Sequence, residues 1–269
     1  RRLALWEFDG PRGHWRIYRC RFVSVGDGRC LLDAVSGYMG AHLATVNTMS
    51  ANERIALFDE TGQTTGAKER AQAYADGERV GLVFVWAVWK DKNGVGQMLL
   101  QTRSRPGDRY LGSLDAPAGG HIQEGEKHAQ TARREFAEEV GIELEEEELL
   151  YLGRLPLDEL EEGFWRRAMQ FFYVCTRPIA LEDTVFNEEV QAFAQVELDD
   201  FSELVHGEVQ QITGRMRSAD APGSIEQYPV TPAAFAAYSE VIMDAICRSA
   251  RALQAYMASG RIDRGLWEL

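Results

Sequence analysis

Cysteine is scarce in this chain: Cys20, Cys30, Cys175 and Cys247 are the four in 269 residues. No C-x-x-C pair stands among them, and their scatter excludes a zinc ribbon and the dense disulfide framework of a small secreted domain. They read as plain reduced thiols. Basic runs are lacking too. With 29 Lys and Arg against 42 Asp and Glu the formal charge is −13, so the counterion release that drives binding to polyanions has no clustered cations to work with. The expected partners include no nucleic-acid polymer and no membrane. Long apolar runs are also missing, since Val80 to Trp89 is about half the roughly 20 residues of a membrane-spanning helix. No basic start followed by an apolar core and a cleavage site is visible, which predicts a cytoplasmic protein. The sequence opens on Arg1 and not on Met, as expected of numbering that begins inside a longer product or after a removed segment.

What is present suits a folded protein. A hydrophobic fraction of 45% with 10% aromatics is too rich for disorder, and the length suggests one large or two small domains. Residues 1–52 mix aromatics with turn clusters and show no sustained period; they are set aside as an N-terminal extension without an assigned role. Residues 53–205 are more regular. Strands are expected at Ile55 to Phe58, Gly81 to Trp89, Gln97 to Thr102, Met169 to Cys175 and Val190 to Val196, with a hairpin turn at Asp91 to Gly94 and a short helix over Ala67 to Tyr74. Short strands around one helix predict an α+β fold with a mixed sheet. Residues 206–269 are expected to be a loop and a long helix that packs on the domain or on a partner subunit, compatible with a homodimer. Thr231-Pro232 is its expected start, Phe235, Tyr238, Ile242, Ile246, Leu253 and Met257 its apolar stripe, and Gly260 its end.

The chemistry concentrates in residues 118–142, AGGHIQEGEKHAQTARREFAEEVGI. Gly120, Glu126, Arg134, Glu135, Glu138, Glu139 and Gly141 stand in the order G-x5-E-x7-R-E-U-x-E-E-x-G-U, with Phe136 and Ile142 at the apolar positions U. Chance production of that pattern in one chain is below roughly one in a million. Lys127 to Val140 has helix-favouring composition and a terminating glycine. On such a helix Ala129, Ala132, Phe136 and Val140 share an apolar stripe, and Glu135, Glu138 and Glu139 fall on an adjacent arc. Three carboxylates so close repel, and Arg134 alone cannot neutralise them. A divalent cation can. All-oxygen ligands suit Mg²⁺ or Mn²⁺, which complete their shells with water and substrate phosphate. The run Glu145 to Glu148 reads instead as a solvated face.

These residues resemble the Nudix box, the signature of the Nudix hydrolases, which cleave a nucleoside diphosphate linked to another group X on an α/β/α sandwich. The resemblance implies that Glu135, Glu138 and Glu139 bind Mg²⁺ or Mn²⁺ with Glu126 supporting them as a further carboxylate at the metal, that Arg134 holds the carboxylates in place, and that Gly119 and Gly120 form the tight loop before the helix. Phe58-Asp59-Glu60, Gly66, Arg70, Arg103-Ser104-Arg105 and Ala118 to Ile122 are similar to the isopentenyl-diphosphate-isomerase-like branch. True isomerases of that branch carry a catalytic cysteine where this chain has Gly119, so a hydrolase is expected. An isomerase-like enzyme and a non-catalytic ligand-sensing or interaction domain are the alternatives. Many family members recruit a general base from a loop outside the box, and Glu188-Glu189, before the strand expected at 190, is the candidate place, with Glu189 taken as the base. Arg103 and Arg105 are candidates for phosphate, and His121 for a place near the metal or substrate. Tyr110, Phe164 and Trp165 can stack on a base, although aromatics are more often packing. The expected reaction is attack of metal-activated water on one phosphorus of a small diphosphate.

Overall fold

The computed structural model describes residues 53–104, 110–161, 164–235 and 238–263, with 160, 161, 164 and 165 as backbone only, and three N-terminal strands as backbone only. The chain divides into two compact units, Arg1–Val46 and Asn47–Leu269. In the first, β1 (Arg2–Asp9), β2 (His14–Val25) and β3 (Arg29–Ala34) form an antiparallel sheet in the order β1-β2-β3, regular structure where the sequence shows no period. Residues 35–52 of the N-terminal extension lie outside the described residues.

In the second unit the elements run β4 (Arg54–Phe58), β5 (Thr64–Glu69), α1 (Arg70–Ala75), β6 (Arg79–Lys90), β7 (Gly96–Arg103), β8 (Leu114–Asp115), β9 (Ala118–His121), α2 (His128–Val140), β10 (Leu149–Glu161), β11 (Phe164–Cys175), β12 (Val190–Glu197), α3 (Leu198–Val205), β13 (Ile212–Ser218), β14 (Glu226–Val230) and α4 (Glu240–Ser259). Among the described residues, the strands make one 11-stranded sheet with the path β10-β11-β6-β7-β12-β13-β14. It is mixed: β11 runs parallel to β6, while β6–β7 and β7–β12 are antiparallel. Strand β9 lies on β6 with Gly120 opposite Val83.

Both faces of the sheet are covered, which explains why β6 is apolar almost throughout. Val83, Val85, Ala87 and Trp89 pack with Ala132, Phe136 and Val140 of α2. Trp86 and Val88 point the other way, into a cluster with Leu198, Phe201 and Leu204 of α3 and Ala245, Ile246, Ala250 and Leu253 of α4. The fold is therefore α+β, with helices on both sides of a mixed sheet. No helix among the described residues is long and apolar enough to cross a membrane.

Several elements differ from expectation. The helix expected over 67–74 is the end of β5 followed by α1, because Ala67 and Lys68 pair with Ala56 and Ile55 of β4; pairing outweighs the helix preference of Ala, Lys and Glu. Residues after 206 contain the hairpin β13–β14 as well as a helix. Pro232–Phe235 is a separate 3₁₀ turn, and α4 begins only after Ser239, whose Oγ accepts from the Ile242 amide at 3.4 Å. It ends at Gly260 as expected. Its stripe closes on the same core, with Tyr238, Ile242 and Met257 packed against the α3–α4 cluster.

Candidate functional site

The site grows from the β9–α2 junction. Strand alternation turns position 120 toward α2 and positions 119 and 121 toward the opposite face. A side chain at 120 has no room, since a Cβ there would overlap the Glu135 carboxylate. Gly120 thus lets a buried carboxylate lie against the backbone of β9. Glu126, in the turn before the helix, accepts from Thr131 Oγ1 at 2.8 Å and the Gln123 amide at 3.3 Å. The Arg134 guanidinium then gathers the acids. It donates through Nε and Nη2 to the two oxygens of Glu126, both at 3.0 Å, and through Nη1 to Glu135 at 2.9 Å and Glu138 at 3.1 Å. Such a fork-to-carboxylate geometry needs arginine and is lost with lysine. Helix α2 stops at Gly141 with a left-handed φ of 81°, a conformation other residues adopt only with strain.

The carboxylates are not equivalent. Glu138 is exposed, with 57% of its side chain accessible, whereas Glu135 and Glu139 are buried. The expected common arc is therefore split, with two acids against the sheet and one toward solvent. Glu139 Oε2 accepts from Gln101 Nε2 at 2.7 Å, and Gln101 Oε1 is buried with no hydrogen-bond partner. Gln101 and Arg103 alternate onto the α2 face of β7, and Arg103 donates to Asp115 at 2.9 Å while its charge favours ionised Glu139. Glu189 immediately precedes β12, and its charge acts on both Glu135 and Glu139. Arg134, Glu126, Glu135, Glu138, Glu139, Arg103 and Glu189 are thus brought together.

His121 is not. Its ring lies on the opposite face, where Nε2 shares a hydrogen bond of 2.7 Å with the Tyr74 hydroxyl; its carbonyl oxygen alone joins the group, accepting from Arg134 Nη2 at 3.3 Å. Tyr110 packs 4.8 Å from the ring of Tyr238 and hydrogen-bonds the Arg166 guanidinium. Arg105 and the side chains of Phe164 and Trp165 lie outside the described residues. Gln101, Thr131 and Asn187 were missed by sequence reasoning. Only Gln101 left a signal there, a polar residue inside an apolar strand.

Burial pushes the Glu135 carboxyl up to about 7, Arg134 pulls it back, and the Glu138 and Glu189 charges add to the rise. Glu139 is raised well above the ordinary carboxylate value, first by burial and then by Glu135. An acid that holds its proton more tightly folded than unfolded stabilises the fold fully below its ordinary value of 4.5, and that contribution is lost as pH rises through about 7. Urea melts of the cation-free protein at about pH 5 and about pH 8 should show Glu135 contributing roughly 3 kcal/mol more at the lower pH. Glu135→Gln should remove that difference; an unchanged pH profile in the variant would contradict it.

Among the described residues, no three carboxylate, imidazole or thiolate side chains already form a cage for an ion; Arg134 bonds three of the acids, Glu126, Glu135 and Glu138. The donor set nevertheless suits a hard divalent ion. It is all oxygen, two of its carboxylates are buried and mutually repelling, and the cradle over Gly120 is too close for any side chain.

The NUDIX domain family matches residues 81–216. The chain is 29% identical over 164 residues to Nudix hydrolase 3 of Arabidopsis thaliana, covering 59% of this chain and 21% of that protein. It is 32% identical over 90 residues to the isopentenyl-diphosphate Delta-isomerase of Halorhodospira halophila, covering 34% of this chain and 50% of that one. The chain therefore spans half or less of the length of these curated relatives. A crystal structure from Deinococcus radiodurans aligns at a TM-score of 0.41 and 20% identity, over 58% of this chain and 90% of that one.

Proposed function

Because this chain belongs to the NUDIX family, we propose that it is a Mg²⁺- or Mn²⁺-dependent hydrolase of a phosphoanhydride bond in a nucleoside diphosphate linked to another group, or in a related small diphosphate. The observation that carries this reading is the pair of buried carboxylates, Glu135 seated over Gly120 of β9 and Glu139 bonded to Gln101 of β7, both under the charge of Glu189. In water alone such a group is unfavourable, and it becomes favourable beside a cation and a phosphate.

Glu135, Glu138, Glu139 and Glu126 would hold the ion. Arg134 keeps Glu126, Glu135 and Glu138 oriented, and Gln101 fixes the Oε2 edge of Glu139. When bound, the cation supplies an acidified water and offsets charge on the phosphoryl oxygens. A Glu189 oxygen takes the proton as water attacks one phosphorus in line; the new P–O bond forms as the anhydride P–O bond breaks, and the second phosphate leaves. Arg103 faces the same space and orients a phosphate oxygen, with Arg105 assigned the same task. Gly119 and Gly120, expected as a tight loop, are part of strand β9; Gly120 gives the Glu135 carboxylate its place against that strand, while Gly119 faces Phe84 on the other side. An isomerase is disfavoured because Gly119 supplies no thiol where that branch's isomerases carry a cysteine, and an added Cβ there would lie 2.9 Å from the Val83 carbonyl oxygen. A cytoplasmic setting belongs to the proposal, supported by the free thiols Cys175 and Cys247.

The test is a panel of nucleotide sugars, dinucleotides, nucleoside triphosphates and prenyl diphosphates assayed with Mg²⁺ and with EDTA. Metal-dependent release of phosphate, pyrophosphate or a monophosphate from at least one member is expected. No turnover of any member, with ion uptake still seen by calorimetry, would favour a ligand-sensing domain.

A further inference from the structure

The loop that delivers Glu189 is tied to α2 at two points before it enters the sheet. The Val185 amide donates to the Val140 carbonyl at 3.0 Å, and the Val185 side chain presses on Gly141, where a Cβ would overlap it. Two residues on, Asn187 makes three hydrogen bonds with one planar amide. Its Nδ2 donates to the Glu138 carbonyl at 2.7 Å, and its Oδ1 accepts from the Glu189 amide at 2.8 Å and the Val190 amide at 3.0 Å. The Glu138 carbonyl belongs to the last turn of α2, where helix carbonyls have no partner within the helix. From the other side Ser104, at the end of β7, donates its amide to the Glu189 carbonyl at 3.1 Å and its hydroxyl to the Glu188 carbonyl at 3.2 Å.

We infer that Asn187 is a positioning residue for Glu189, clamping its backbone to the helix that carries Glu135, Glu138 and Glu139. The inference rests on the reading of Glu189 as the general base. It explains why an asparagine stands there. Aspartate would lose the donor to Glu138, and serine lacks the reach to bridge the loop and the helix. It also accounts for how an acid 50 residues downstream of Glu139 is held close enough for its charge to act on both buried carboxylates. A base helps only within hydrogen-bond reach of the proton it takes, so a slack loop lowers the chemical step and leaves substrate binding largely alone.

The test uses the full chain. Asn187→Ala should lower kcat by about 10- to 100-fold with KM changed less than about 3-fold. Amide hydrogen exchange at Glu189 and Val190 should speed up while exchange along α2 and β6 stays as in the wild type. In a double-mutant cycle, Asn187→Ala should cost nothing further on top of Glu189→Gln, because its effect runs through that carboxylate. Multiplying losses in the double variant, or unchanged exchange at Glu189 and Val190, would overturn the inference. If Asn187→Ala does not fold, Asn187→Asp, which keeps the two acceptor bonds and loses only the donor to the Glu138 carbonyl, goes through the same double-mutant cycle, and multiplying losses there would overturn the inference. A wild type inert on the whole panel would instead sink the hydrolase reading, and the exchange result would still report on the clamp.

Discussion

Glu139→Gln should lower turnover by about 10²- to 10³-fold, the range for losing one group of the charge-stabilising apparatus at a reacting centre, and should leave the cation-free protein as stable as the wild type or more so at neutral pH. The two halves have one cause. Glu139 is buried and its carboxyl is raised well above the usual range, by burial first and the Glu135 charge second. Keeping it ionised therefore opposes folding, and an uncharged amide of the same shape relieves that opposition. The new amide also has a partner. Gln101 can turn its own carboxamide to present Oε1, which has no partner in the wild type, to the introduced NH₂. Kinetics with Mg²⁺ and melts in EDTA measure both effects on one preparation. Full hydrolysis by a folded Glu139→Gln protein would refute the assignment of this carboxylate, and a large fall in its melting temperature would refute the account of why the charge is tolerated.

Gly120→Ala should be the second most damaging change at the site, lowering turnover by about 10²-fold or more and weakening divalent-ion uptake. The added methyl would occupy the place of the Glu135 carboxylate, so the acid must swing away from β9. Overpacking of this kind destabilises by typically 1–3 kcal/mol, which leaves a folded protein to assay. Gly223→Ala is the control, because a Cβ at 223 meets nothing within 4 Å. Titration calorimetry and kinetics on both variants read the result. Wild-type ion affinity and turnover in Gly120→Ala would show that the close approach of Glu135 to the backbone is incidental.

Local spacing makes α2 legible in the sequence. Positions 132, 136 and 140 recur on one side of a helix, and all three are fully buried, as is Thr131 beside them. The same spacing could not say that Glu135 and Glu139 face the sheet while Glu138 faces solvent, since that depends on where Arg134 and β9 stand. Gln101 and Asn187 lie further from reach. They bond Glu139 and the Glu138 carbonyl across 38 and 49 residues, through a pairing of β7 with β12 that no local pattern encodes. Strands β10 and β13 were hidden for a related reason. Pro156 and Asp158 in one, and Gly214, Arg215 and Arg217 in the other, break any apolar run, and both are strands only because a neighbour supplies the ladder. In β5 the neighbour outweighed the local helix preference of Ala67 and Lys68.

The parallel seating of β11 on β6 also sets an order of events as the chain folds. Strand β6 meets β7 through the short turn at Asp91–Gly94, but Arg79 meets Arg167 only after roughly 90 intervening residues have been looped out, a closure far slower than a hairpin's. During synthesis the ladder edge from Val80 to Ala87 therefore waits, with its amides and carbonyls unmatched, until Phe164–Cys175 has left the ribosome. Throughout that interval any extended apolar segment of another nascent chain can take the vacant place, so strand capture at this edge is the misassembly to which the architecture is most exposed.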